Sequence, residues 1–235
     1  MKRIAAKYIS DIPAAAREVD VKPARVRNGA IWLRRVKCLL GRRLVGTRDY
    51  QKNGRLAIER PIKNGLQHGR SYSFHDGGRV ECREPYRNGL PDGVCHQWDD
   101  RGRWLGSYRL RAGSGYDVWR DRMGGRKPFV TEIHAMRGGL PHGYEWWFWR
   151  QGAGGLWSER HWRRGKRHGI ERTWTMRGSL EKGYPKFWVA GKPVSRREYL
   201  RRAAKDRTLP RLRDNDADGG HVFRARVSAV LAKVG

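Results

Sequence analysis

Histidine is the side chain best suited to acid–base or metal chemistry near neutral pH. His68, His142 and His168 each stand three residues after a glycine in one short motif. Catalysis or zinc binding would need them to converge. Their shared place in a repeated motif instead spaces them in a row along a turn edge, and Asp92 fills that place in another copy, so they read as turn residues. His75, His96, His134, His161 and His221 show no zinc-ligand spacing. Asp214-x-Asp216-x-Asp218-Gly219 opens like a calcium loop, but the places for the aliphatic residue and the closing bidentate glutamate hold His221 and Ala225. A polar linker is the better reading. There is no G-x-S-x-G, phosphate loop, H-E-x-x-H or dinucleotide fingerprint, and no carboxylate pair placed for acid–base work. The sequence therefore predicts a non-catalytic protein with no metal site, no cofactor and no small-molecule substrate.

The residues that could bind a partner are aromatic and basic. In Tyr144-Glu-Trp146-Trp147-Phe148-Trp149 every second position belongs to a regular pattern, while Trp147 and Trp149 fall between those positions. On a strand they project from the opposite face. Trp157 has the same parity, and Arg150, Arg160, Arg163 and Arg164 are near in sequence. Tryptophans flanked by arginines suit a protein hot spot, or base stacking with phosphate contact. The competing reading is that a terminal helix or the N-terminal segment packs over them.

A repeat must position these residues. Asn64-Gly65-Leu-Gln-His-Gly69 returns as Asn88-Gly89-Leu-Pro-Asp-Gly93, Gly138-Gly139-Leu-Pro-His-Gly143 and Arg164-Gly165-Lys-Arg-His-Gly169. Gly41, Gly65, Gly89, Gly113, Gly139, Gly165 and Gly191 lead six units over residues 41–191. Tyr50, Phe74, Trp98, Phe148 and Trp174 stand nine residues after five of these glycines, with Arg122 breaking the series. A second apolar column stands three residues before each glycine, from Cys38 to Trp188. Between the glycines the side chains alternate with period two, as in Arg70-Ser-Tyr72-Ser-Phe74, which is a strand with one covered face. Asn-Gly between two such runs is a tight hairpin turn. The fold expected is all-β: an elongated single-layer antiparallel meander of about six β-hairpin repeats, with short flanking helices at the termini.

Residues 1–40 are expected to form an N-terminal cap, a helix plus the strand that begins the sheet. Residues 192–235 are expected to form a C-terminal helical extension. Ser195-Arg-Arg-Glu198 is a capping box opening a helix near 195–205, and Phe223, Val227, Val230, Leu231 and Val234 lie at helical spacing.

The units resemble the MORN repeat (membrane occupation and recognition nexus), most nearly its bacterial variant. Tyr86-Arg-Asn-Gly89-Leu-Pro-Asp-Gly93-Val-Cys-His-Gln-Trp98-Asp-Asp-Arg-Gly102 is the cleanest copy. The likeness covers about residues 41–191, and it departs in the unit from Gly113, where Asp117 replaces the second glycine of the motif. It implies a sheet of hairpins that binds or scaffolds without catalytic residues, and an antitoxin-like protein–protein interaction.

Composition narrows the partners. The 235 residues carry 52 lysines and arginines against 23 acids, a net charge of +29, and 39 of the 52 cations are arginine. The excess is spread along the chain. It favours partners rich in phosphate or carboxylate, or it is an arginine-rich but ordinary solvated surface. No apolar run approaches the length of a membrane span, the start lacks a secretory pattern, and three cysteines make no paired framework. A cytoplasmic protein is expected, with a protein partner first, nucleic acid second and an acidic membrane surface third.

Overall fold

The computed structural model describes residues 6–21, 34–123, 127–149, 155–212 and 225–234. The expected antiparallel meander of hairpins forms, and the chain divides into two compact units, 1–113 and 114–235. The division falls at Gly113, the leading glycine of the irregular repeat. The first unit holds β1 (Arg17–Asp20), β2 (Arg34–Leu40), β3 (Arg43–Tyr50), β4 (Leu56–Lys63), β5 (Leu66–Gln67), β6 (Gly69–Phe74), β7 (Val80–Arg87), β8 (Leu90–Pro91), β9 (Gly93–Trp98) and β10 (Trp104–Arg111). The second holds β11 (Ser114–Asp121), β12 (Phe129–Arg137), β13 (Leu140–Phe148), β14 (Leu156–Arg163), β15 (Lys166–Arg167), β16 (Gly169–Thr173), β17 (Lys186–Val189), β18 (Lys192–Val194), α1 (Arg196–Ala203) and α2 (Ala225–Val234).

The hairpin turns explain the leading glycines. Asn88 and Gly89 have φ of 50° and 84°, and Arg164 and Gly165 have 49° and 75°. Two successive positive-φ residues make the tight turn whose twist matches that of its strands. Four of the turns, at Gly89, Gly113, Gly165 and Gly191, are also latched to the preceding one. Gly89 N–H donates to the Gln67 carbonyl at 2.8 Å, and Gly165 N–H to the Pro141 carbonyl at 2.9 Å. The residue before the glycine donates to the third-place side chain: Asn88 to His68 Nδ1, Ala112 to Asp92 Oδ1, Arg164 to His142 Nδ1 and Ala190 to His168 Nδ1. The row of histidines is thus a row of acceptors, which is why aspartate substitutes for them.

In each unit the residues at offsets five, seven and nine form what we term the aromatic face. Tyr72, Phe74, Val80 and Trp98 pack there in the first unit. In the second, Tyr144 and Trp146 stack with ring centroids 5.6 Å apart. The expectation of one covered face needs correction. Five of the return strands carry a β-bulge, with Ala57, Glu81 and Leu105 as the extra residues in the first unit and Thr131 and Trp157 in the second. One extra residue reverses the parity of everything after it. The apolar residues three before Gly89 and Gly165, Tyr86 and Trp162, therefore lie opposite Gly69 and Gly143, on the face away from the aromatic one.

The described part of the N-terminal segment does not form the helix expected of it. Residues 6–16 run as irregular chain and turn, and β1 pairs with β2. Pro13 removes a backbone donor, while sheet contacts are available instead. Tyr8 packs edge-on against Tyr72 and Phe74 at 5.1 and 5.2 Å, and Ile12 joins Val36, Cys38 and Val45. Gly46 leaves the room for this, since a β-carbon there would lie 2.2 Å from Ile12 Cδ1. The arm therefore straps the aromatic face of the first unit.

At the other end, residues 192–194 are a strand: β18 pairs with β17 and completes a last hairpin before any helix begins. Ser195 Oγ accepts the Glu198 N–H at 3.2 Å as expected, but the Glu198 carboxylate turns to Arg201 and Arg202 instead of closing the capping box. Tyr199 and Leu209 bury against Ile170 and Phe187. The Asp214–Gly219 stretch, His221 and Phe223 lie outside the described residues. Cys38, Cys82 and Cys95 are buried thiols. No helix among the described residues is long and apolar enough to cross a membrane.

Candidate partner-binding face

Alternation on β13 sends Trp146 and Phe148 to the aromatic face, where they are buried, and Trp147 to the other. On that other face Trp147 meets Trp157 edge-on at 6.2 Å, and Trp149 meets Trp157 at 5.9 Å. Trp157 is the bulge residue of β14, so the bulge that disturbs the register also turns this ring toward the cluster. Trp147 and Trp149 are half-buried and Trp157 is 37 % exposed. The three predicted tryptophans come together as one patch.

The patch stands on a charge ladder that crosses the strands. Glu145 accepts from Trp147 Nε1 at 2.9 Å and from Arg160 Nη1 at 2.9 Å, and His134 Nδ1 lies 3.3 Å away. His134 also reaches Glu132 at 3.1 Å and packs edge-on against Trp147. Glu171 continues the ladder to Arg160, Arg167 and Trp188 Nε1, and Arg167 lies 4.8 Å over the Trp188 ring. Burial alone would lower the His134 pKa, but the hydrogen bonds to Glu132 and Glu145 and the Asp117 charge hold it up at about 9. Burial would raise Glu145, yet His134, Trp147 and Arg160 bring it down to about 2. At neutral pH His134 is therefore protonated beside an ionised Glu145, and this ion pair fixes the tryptophans above it.

The arginines divide. Arg160 belongs to the ladder, its charge neutralised by Glu145 and Glu171. Arg163 and Arg164 sit at the turn, about 20 Å along the strand from Trp157 at 3.3 Å per residue, and line a different cleft with Arg137 and His142. Arg150 lies outside the described residues. Sequence reasoning missed Glu145 and Glu171, although both stand six residues after a leading glycine. It also set Trp162 and Trp188 on the covered face; for Trp162 the reason is that nothing in residue type announces the bulge at Trp157. No group of three or more His, Cys, Asp or Glu side chains suited to a metal ion occurs among the described residues. Compared with known proteins, the chain matches no family model and no curated sequence.

Proposed function

We propose that the chain is a non-catalytic hairpin-repeat scaffold, acting in a reducing cytoplasm, whose second unit binds a protein partner through Trp147, Trp149 and Trp157. A cluster of three tryptophans on an otherwise charged face, with Trp157 exposed and the other two half-buried, carries this reading. Large aromatic rings in one patch, held by a hydrogen-bonded frame, have the form of an interface hot spot. The described N-terminal arm and the segment around α1 pack on the aromatic faces of their own units, which favours an external partner for this patch. The likeness of the repeats to the bacterial MORN variant favours the same class of role, antitoxin-like binding included.

The test is affinity purification from source cells with nuclease treatment. The intact chain should recover a protein that resists nuclease, and Trp157→Ser should lose it while keeping its circular dichroism and melting point. Recovery that is unchanged by Trp157→Ser would discard this face.

One observation favours nucleic acid as the second reading. Lys63, Arg87 and Arg111 stand two residues before successive leading glycines, and all three are exposed along one turn edge of the first unit. Binding through such a column weakens steeply between about 50 and 200 mM salt, whereas binding centred on tryptophan does not.

A further inference from the structure

Three arginines of the second unit stand together at its turns. Arg137 and Arg163 share one repeat position, two residues before Gly139 and Gly165, and Arg164 follows. With Leu140, His142 and Thr208 they line a cleft of about 610 Å³. Residues at one repeat position are two strands apart, about 10 Å, so Arg137 and Arg163 flank it. Arg163 is held in place: its Nη1 donates to Thr208 Oγ1 at 2.9 Å, and the Thr208 hydroxyl donates to Asp206 at 2.6 Å. His142 Nδ1 accepts the Arg164 N–H at 3.4 Å, so the neutral ring carries its proton on Nε2 and can donate there. Among the described residues no carboxylate forms an ion pair with Arg137, Arg163 or Arg164. Asp206, the acid whose field reaches Arg163, is engaged by Thr208 and lies 3.7 Å from His168. Burial first, and then the charges of Arg137, Arg163 and Arg164, lower the His142 pKa. That is what an uncompensated positive cleft does to a neighbouring base.

The first unit places an acid at the corresponding cleft. Its own turn-edge cleft is lined by Arg43, Lys63, His68 and, from the N-terminal arm, Asp11. Asp11 pairs with the Arg70 guanidinium and accepts the Arg70 backbone N–H at 2.6 Å. In the second unit the bordering residue from the terminal segment is Thr208, which brings no charge.

From this contrast we infer that the cleft formed by Arg137, His142, Arg163 and Arg164 binds a phosphate monoester. Guanidinium forks and an imidazole N–H match the terminal oxygens and double charge of that group. The volume equals the share of about 20 waters in the liquid, so the cleft also admits part of the molecule that bears the phosphate. A phosphorylated side chain and a free nucleotide present the same chemistry. The site is independent of the tryptophan cluster and stands or falls separately from it.

The full chain would be titrated with inorganic phosphate, a phosphoserine peptide and a nucleoside 5′-monophosphate, at ionic strength fixed with chloride. Calorimetry reads affinity, and a histidine nitrogen–proton NMR spectrum reads the His142 ring. Saturable binding that moves the His142 signals, with no response to chloride alone, is expected. Arg137→Ser with Arg164→Ser should weaken each ligand by about tenfold or more, while Arg177→Ser, at the opposite turn edge of the same unit, should not. Whichever of peptide and nucleotide binds more tightly identifies the source. Equal response to chloride, a silent His142, or full affinity in the double variant overturns the proposal. The His142 spectrum of the unaltered chain decides the matter even if the double variant fails to fold.

Discussion

Glu59 in the first unit and Glu159 in the second stand at one repeat position, six residues before a leading glycine, and both carboxylates are completely buried. Each lies between two offset-seven residues on adjacent strands: Arg48 and Tyr72 for Glu59, Trp146 and Arg172 for Glu159. In the second unit two partners of the charge come from the sheet itself. Arg172, itself 2 % exposed, donates to Glu159 at 2.8 Å, and Trp146 Nε1 donates at 2.9 Å. The first unit draws on another part of the chain. Arg48 donates to Glu59 at 2.8 Å, and the remaining acceptor capacity is taken by Tyr8 at 2.7 Å and Ser10 at 2.8 Å, both from the N-terminal arm. The same repeat position thus meets an arginine and a tryptophan of its own sheet in one unit, and an arginine of its sheet together with a strap in the other. The strap also brings Asp11 to the turn edge, while the second unit keeps its turn-edge cations for something else.

The largest expected effect tests that contrast directly. Glu159→Ala removes the carboxylate to which Arg172 donates in a site closed to water, and should cost about 3–5 kcal/mol. Glu59→Ala should cost less, about 1–3 kcal/mol, because Arg48 is 23 % exposed and keeps Glu18 at 3.0 Å. Urea unfolding of both variants measures the order, and a larger loss for Glu59→Ala would break the comparison.

The next effect is confined to the second unit and appears as a pH dependence. His134 titrates at about 9 when folded, above its ordinary 6.5. A raised folded value binds protons more tightly than the unfolded chain does. Its stabilisation is therefore complete below about pH 6.5 and is lost as the pH rises through 9, in the amount of about 3 kcal/mol. Melting temperatures between pH 6 and 10 should fall more in the native chain than in His134→Gln; parallel profiles would remove the charge ladder as a support for the tryptophans.

The smallest effect concerns the turn latch. His68 and Asp92 perform the same acceptor role in one unit, so His68→Asp should leave stability unchanged. His68→Ala should lose about 0.5–1 kcal/mol. Thermal melts compare them, and equal losses would mean that the latch contributes nothing.

Much of the architecture was legible because it is local. Hairpin turns follow from glycine and asparagine accepting positive φ, the strands from period-two alternation, α1 from Ser195, and the projection of Trp147 away from Trp146 from parity within β13. The candidate site was half legible. The three tryptophans could be paired by parity, whereas Arg163 and Arg164 are close to Trp157 in sequence and far along the strand. The bulge at Trp157 hid the face of Trp162, since an inserted residue is defined only against the partner strand.

What the sequence determined by itself was the repeat: a 24- to 26-residue unit whose turns and alternation are set by interactions a few residues apart. Tertiary structure alone decided which face each column occupies, that residues 6–16 become a strap and not a helix, and which buried glutamate meets which arginine. Those outcomes depend on contacts between residues from 11 to more than 60 positions apart, such as Arg48 with Glu59 and Tyr8 with Tyr72. Local propensity does not encode such contacts, and they acquire their strength only where water is excluded.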